Sequence, residues 1–166
     1  MENQSIEIEL IPVKVHLSNQ LTADNIRETI NECDLHIHNG SYGAAITMAK
    51  TLLEGVFKEI IRTESPGLLE VHQDFPVLKK KAFEIIELTT NNEAYQKDIK
   101  KLVGNISTIA DTVNSIRNKV GIGHEAIDKP TISHALLVVN AAKTVTTFVL
   151  QIFDERNKRV RELINE

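Results

Sequence analysis

Residues 41–62 read SYGAAITMAKTLLEGVFKEIIR, and this stretch decides the fold. Its apolar side chains recur at spacings of three and four residues, which is the period of an amphipathic α-helix. They form a wide stripe: Ala45, Ile46, Ala49, Leu52, Leu53, Val56, Phe57, Ile60 and Ile61. Because so wide a stripe needs neighbours on several sides, we predict that this helix is central in a bundle. The turn residues Ser65-Pro66-Gly67 are expected to end it.

Four more helices are predicted from the rest of the chain. They are expected over about residues 24–37, 77–88, 93–120 and from 130 onward. Thr22 or Asp24 can cap the start of the earliest helix, and Gly121 is well placed as a left-handed cap after residue 120. Pro130 stands where the first turn of a helix tolerates proline. Beyond Asp154 the composition becomes charged, so the last turns are expected to leave the bundle.

The N-terminal residues follow a different pattern. From Ser5 to Leu17 apolar and polar residues alternate, with Pro12 between two runs, which indicates one or two short extended segments. These segments could pair with each other or with a second copy of the chain. The sequence therefore predicts an all-α, antiparallel bundle of about five helices over residues 21–166, preceded by an extended segment over residues 1–20.

Composition limits the possible functions. A length of 166 residues fits one domain, and 4% aromatic residues with no tryptophan predict an aliphatic core. The net charge of −4 argues against a protein that coats nucleic acid through bulk charge. Any contact with RNA must then come from local basic clusters.

No metal, cofactor or membrane segment is expected. A single cysteine, Cys33, excludes an internal disulfide and a cysteine-based zinc site. His36 and His38 lack acidic or cysteine partners at ligand spacing. The N-terminus shows no signal peptide, and no continuous run of about 18 apolar residues is present, so a cytoplasmic protein is expected.

The residues that could carry chemistry are concentrated in 117–124, RNKVGIGH. Arg117 can bind a phosphate with two parallel hydrogen bonds, and His124 can move protons near neutral pH. Gly121 and Gly123 favour a chain that folds back after the helix and brings His124 towards the guanidinium. Such a pair could act on a phosphate without a metal ion, although by spacing alone the two residues are more often unrelated surface positions.

Two polar residues inside apolar runs could support this pair. Glu54 follows Leu52 and Leu53. If its carboxylate is buried, it needs a partner, for which Arg117 is a candidate. Alternatively, Glu54 lies on a solvated edge of the helix. Asn140 interrupts the apolar run of the last helix and must be hydrogen-bonded if buried. It could support the Arg–His site or only fix the register of the helix.

Further polar residues have candidate roles along the chain. Lys97 and Lys101, on the helix that carries Arg117, and Lys119 could guide an RNA strand, although most such lysines are only solvated. For His134 a surface or capping position is favoured over a role in the site. Tyr42 is expected to pack on a neighbouring helix rather than stack on a base.

Three blocks of the sequence resemble one family. Residues 117–124 resemble the RNK-G-x-x-H signature of the abortive-infection C-terminal domain, a branch of the HEPN superfamily. Residues 39–46, NGSYGAAI, with LLE at 52–54, resemble its first core helix, and SHAL at 133–136 with VNAA at 139–142 resembles its last. The blocks occur in the family's order over about residues 35–153.

The resemblance implies a helical HEPN fold, commonly dimeric, in which the motifs of two subunits meet in a shared cleft. Many members are metal-independent endoribonucleases of phage-defence or toxin–antitoxin systems, in which the ribose 2′-hydroxyl attacks the adjacent phosphate. By resemblance His124 would be the general acid or base, Arg117 would stabilise the phosphate and Asn118 would help position the site. RNA, a second copy and an antitoxin or defence protein are the implied partners.

One residue departs from the family's pattern. The family usually has glycine directly after the histidine, and this chain has Glu125. A carboxylate there favours the charged form of His124 and repels RNA phosphates. The alternative prediction is therefore a non-catalytic HEPN module that binds RNA, a nucleotide or a partner protein.

Overall fold

Five α-helices make up the described part of this computed structural model, which covers residues 13, 15, 24–68, 73–86, 93–121 and 129–164. In chain order they are α1 (Asp24–His38), α2 (Tyr42–Glu64), α3 (Phe75–Ile86), α4 (Glu93–Gly121) and α5 (Ile132–Ile164). One turn of 3-10 helix, Pro66–Leu68, follows α2. Within the described ranges no strand occurs, and the predicted all-α bundle is confirmed.

Helix α2 is central, as its wide stripe predicts. All nine apolar residues of the stripe are buried. The helix packs against each of the other four helices, so its stripe is covered on several sides. It ends where Ser65 donates its N–H to the carbonyl of Ile61 at 2.8 Å, and the prolyl turn follows.

Helix α1 ends in a Schellman motif that the Asn39-Gly40 pair predicts. Gly40 has a left-handed backbone with φ of 71°. Its N–H donates to the carbonyl of Ile37 at 3.1 Å, and the N–H of Ser41 donates to the carbonyl of His36 at 2.8 Å. This tight turn sends α2 back along α1. Helix α4 ends at Gly121, one residue beyond its predicted end at residue 120.

The core is mostly aliphatic, and it contains one cluster of aromatic rings. The ring of Phe57 on α2 lies 5.7 Å from that of Phe75 and 6.1 Å from that of Phe83, measured between centroids. The two contacts are tilted and edge-on, which are the favourable geometries for aromatic pairs. They join α3 to the central helix.

Helix α5 is long and apolar, and its length and composition alone would allow it to cross a membrane. Its most apolar 18-residue window has a mean hydropathy of 1.6, and half of that window is buried inside the bundle. Polar residues such as Asn140 and Lys143 interrupt the apolar run, which is why the sequence shows no continuous one. The buried face of α5 forms part of the hydrophobic core, which accounts for its hydropathy.

The last turns of α5 leave the bundle, as the change in composition predicts. Arg156 donates to Glu64 Oε2 at 2.8 Å and holds the helix against the end of α2. Beyond that ion pair the apolar side chains of Val160, Leu163 and Ile164 are exposed.

An ion pair with a buried ammonium joins α1 to α5. The side chain of Lys143 is 1% exposed, and its Nζ lies 2.5 Å and 2.8 Å from the two carboxylate oxygens of Asp34. The carboxylate itself is 47% exposed. Neither residue stands out in the sequence as a member of a buried pair, because a lysine among threonines and valines resembles a surface position.

Cys33, the residue before Asp34, is fully buried, and we expect it to be unreactive. Burial raises the pKa of its thiol to about 12, well above its usual range, because the thiolate is poorly solvated there. Since the thiolate is the nucleophile, a disulfide reagent at pH 8 should modify the native protein far more slowly than the urea-unfolded protein. Rapid release of one equivalent of chromophore from the native protein would contradict this.

Candidate active site

Arg117 lies on the last turns of α4, and its guanidinium is incompletely paired. The residue is half-buried, Nη1 donates to Asn118 Oδ1 at 3.3 Å, and Nε is buried without a hydrogen-bond partner. Within the described residues no carboxylate is paired with it. A buried donor without an acceptor costs about 1–3 kcal/mol, so this group is suited to receive an anion.

The position of Arg117 follows from the apolar pattern of α4. Val113, one turn earlier, is buried, and Ile116 and Val120 pack against the core. The arginine stem therefore runs along the edge of the core, where a long side chain can bury its methylenes and keep its charged end near the surface. Asn118 and Lys119, the next two residues, are exposed.

The predicted partner of Arg117 lies outside the described residues. His124 falls within 122–128, as does Glu125, so the predicted Arg–His pairing remains a prediction. Within the described residues, no group of three or more histidine, cysteine, aspartate or glutamate side chains could hold a metal ion.

Glu54 and Asn140 have partners other than Arg117. Lys50 Nζ lies 2.6 Å from Glu54 Oε1, one turn earlier on α2, and the glutamate side chain is 21% exposed. Among the described residues Glu54 is therefore paired with Lys50 of its own helix and not with Arg117, while its support of the site stays a prediction. Asn140 Oδ1 accepts a hydrogen bond from the N–H of Val13 at 3.2 Å. The amide thus joins Val13 to α5, and no hydrogen bond between Asn140 and Arg117 occurs among the described residues.

The lysines proposed to guide RNA lie on another face of α4. Lys97, Lys101 and Lys119 are exposed. At 100° per residue, each is about 160° around the helix from Arg117. An RNA strand that follows these lysines would have to wrap around α4 to reach the guanidinium of Arg117. The three lysines and Arg117 therefore do not lie on one straight path along the helix.

His134 lies in a capping position at the start of α5, as the sequence predicts. Its N–H donates to Thr131 Oγ1 at 3.4 Å, and the N–H of Thr131 donates to its Nδ1 at 3.3 Å. This reciprocal pair is a capping box at the start of α5, with histidine in the place usually held by glutamate or glutamine. Tyr42 packs against the core, as predicted.

An apolar groove, here called the α4–α5 groove, lies where α4 ends and α5 begins. Its volume is about 280 Å³, and Lys129 and His134 contribute its polar groups. Its apolar walls are Ile46, Ile116, Val120, Pro130, Leu137 and Val138. Sequence reasoning missed this groove; the signal that could have revealed it is Leu137, an apolar residue at the start of α5 that is 71% exposed.

Gly43 allows the first turn of α2 to approach the last turn of α4. A Cβ on Gly43 would lie 3.3 Å from Val120 Cγ1, whereas a Cβ on Gly55, farther along α2, would meet nothing within 4 Å. The glycine therefore helps to set the position of the chain that follows Arg117.

The two glycines should respond differently to alanine. Gly55→Ala is expected to raise the free energy of unfolding by about 0.5–1 kcal/mol, because alanine is the better helix former. Gly43→Ala should give no such gain, since Val120 must move to accept the methyl group. Urea denaturation of both variants checks this, and an equal gain at the two positions would contradict the close packing.

The fold and these residues define a class: a helical domain whose described residues form five helices and leave Arg117, near the end of a long helix, without a carboxylate partner. The chain belongs to the Abi_C family, described as a HEPN-like domain, whose model matches residues 24–153. The match contains all of residues 117–124 and confirms the resemblance drawn from the sequence. Comparison with curated proteins and with solved structures finds no similar protein. Membership suggests a defence or abortive-infection module.

Proposed function

We propose that this protein is a metal-independent endoribonuclease of the phage-defence, abortive-infection or toxin–antitoxin type. The observation that carries the proposal is the guanidinium of Arg117, which is half-buried, has no carboxylate partner among the described residues, and lies inside the segment that matches the family. An arginine kept only for stability is normally paired, whereas this one has a donor left for a phosphate.

In the proposed reaction the ribose 2′-hydroxyl attacks the adjacent phosphorus and the bond to the 5′-oxygen breaks. Arg117 donates Nε–H and an Nη–H to the non-bridging oxygens and stabilises the charge that develops on them. His124 takes the proton of the 2′-hydroxyl or supplies one to the leaving oxygen. The products are a 2′,3′-cyclic phosphate and a 5′-hydroxyl, and neither water nor an oxidant is consumed.

The sequence limits how far the two groups can be separated. Three residues lead from Gly121, the last residue of α4, to His124, and three extended residues span at most about 11 Å. Arg117 lies about one turn before that helix end. We further propose that the active form is a homodimer in which the motifs of two copies meet, and that an antitoxin or defence protein controls it.

A second candidate is a HEPN module that binds RNA, a nucleotide or a protein without cleavage. Glu125 in place of the family's glycine, together with the net charge of −4, favours it, because both oppose a tightly bound phosphate chain.

An RNase assay in EDTA distinguishes the two candidates. The wild-type protein, with its molar mass measured by light scattering, is incubated with a mixed-sequence RNA, and the ends of the products are analysed. Products with 2′,3′-cyclic phosphate ends and a dimer mass support the endoribonuclease. RNA that is bound but intact selects the binding module, and RNA that is neither bound nor cut rejects both RNA-directed functions.

A further inference from the structure

The α4–α5 groove lies beside the proposed catalytic arginine and has no part in the proposed reaction. Ile116 and Val120, two of its walls, stand immediately before and one turn after Arg117 on α4. Its volume of about 280 Å³ is at the lower end of the range of small-molecule sites, about 300–1,000 Å³. It is therefore large enough for one ring system.

The two polar side chains of the groove, His134 and Lys129, can both donate hydrogen bonds. The N–H of Thr131 donates to His134 Nδ1 at 3.3 Å, so that nitrogen carries the lone pair and the proton of the neutral ring is on Nε2. The free ring nitrogen of His134 is thus a donor. The ammonium of Lys129 offers donors only. A ligand that fits these groups has a flat apolar face and acceptor atoms at its edge.

We propose that the α4–α5 groove binds a keto base, uracil or guanine, of the RNA whose phosphate Arg117 holds; this inference rests on the proposed endoribonuclease function. Guanine has the acceptors O6 and N7, and uracil has O4, whereas cytosine and adenine have an amino donor at the matching position. An amino group there would face the donors of His134 and Lys129. The groove thereby determines base preference next to the cleaved phosphate.

His134 and Lys129 are exposed in the free protein, so a base seated on the apolar walls would itself cover their donors. An amino group at that position would then leave the covered donors without acceptors, which is a stronger basis for discrimination than apolar shape alone. We expect a single-stranded oligouridylate to bind about tenfold more tightly than an oligocytidylate of equal length.

Binding of 2′-O-methyl hexamers of uridine and cytidine, followed by fluorescence anisotropy, tests the proposal without cleavage, because the methyl group removes the nucleophile. His134→Gln and His134→Glu form a matched pair, since both residues suit the third position of a capping box. The glutamine keeps an N–H donor for the groove and should keep the preference for uridine. The glutamate has acceptors only and should abolish or reverse it, whatever its effect on overall affinity.

Several results would overturn the proposal. Equal binding of the two hexamers by the wild type does so, as does a preference that His134→Glu leaves intact. RNA cleavage with no preference for uridine or guanosine defeats this inference alone, whereas absence of both binding and cleavage defeats the proposed function as well. If Leu137→Asp converts a dimer to a monomer and leaves base preference unchanged, the groove is covered by a second copy and not by a base.

Discussion

Arg117→Ala and His124→Ala are each expected to slow RNA cleavage in EDTA by at least about 100-fold. Removal of a group that stabilises the developing phosphate charge, or of a general acid or base, typically costs 10²–10⁴-fold in rate. Because the two groups act on one transition state, the double variant should be little worse than either single variant. Arg117→Lys should recover only part of the loss, since an ammonium lacks the two-pronged geometry of the guanidinium.

Two controls separate this effect from loss of charge or of folding. Arg159→Ala and His38→Ala remove exposed residues of the same types elsewhere in the bundle and should leave the rate unchanged. Arg117→Ala should change the free energy of unfolding by less than about 1 kcal/mol, because it deletes a buried donor that has no partner. Cleavage that survives both active-site substitutions would reject the proposed mechanism.

The second large effect is expected at the ion pair between α1 and α5. Asp34→Ala should lower the free energy of unfolding by about 3 kcal/mol, because it leaves the ammonium of Lys143, 1% exposed, without its counter-ion. Such a loss is a large part of the total free energy of unfolding of a domain of this size, which is about 5–15 kcal/mol. Urea denaturation of the purified variant, followed by circular dichroism, measures it.

The opposite substitution is the control. Lys143→Met keeps most of the buried volume and leaves a carboxylate that is 47% exposed and can be solvated. It should therefore cost less than about 1 kcal/mol or even stabilise the protein, as replacement of buried ion pairs by apolar residues often does. Equal costs for the two substitutions would show that burial of Lys143 is not what makes the pair important.

Much of the fold is predictable because helices depend on local spacing. The stripe of residues 41–62 predicts both a helix and its central position, and Asn39-Gly40 predicts the turn before it. Proline and glycine give the bounds of the other helices only approximately: α3, predicted over about residues 77–88, is observed over Phe75–Ile86, and α5 continues beyond Asp154 to Ile164. In each case the information lies within a few residues of the feature, since helical hydrogen bonds join residues four apart.

Partners that are distant in sequence could not be predicted in this way. Asn140 accepts from Val13, 127 residues earlier, and Lys143 binds Asp34, 109 residues earlier. Which helices face each other at these points depends on how the bundle packs.

The sequence by itself determined that this is a five-helix HEPN-like domain with RNKVGIGH at residues 117–124, because periodicity and motif are properties of neighbouring residues. The tertiary structure alone decided that Arg117 has an unsatisfied Nε, that its expected carboxylate is paired elsewhere, and that a donor-rimmed groove lies beside it. These features depend on which side chains from different helices come within about 3 Å of each other, and that distance is set only when the helices pack.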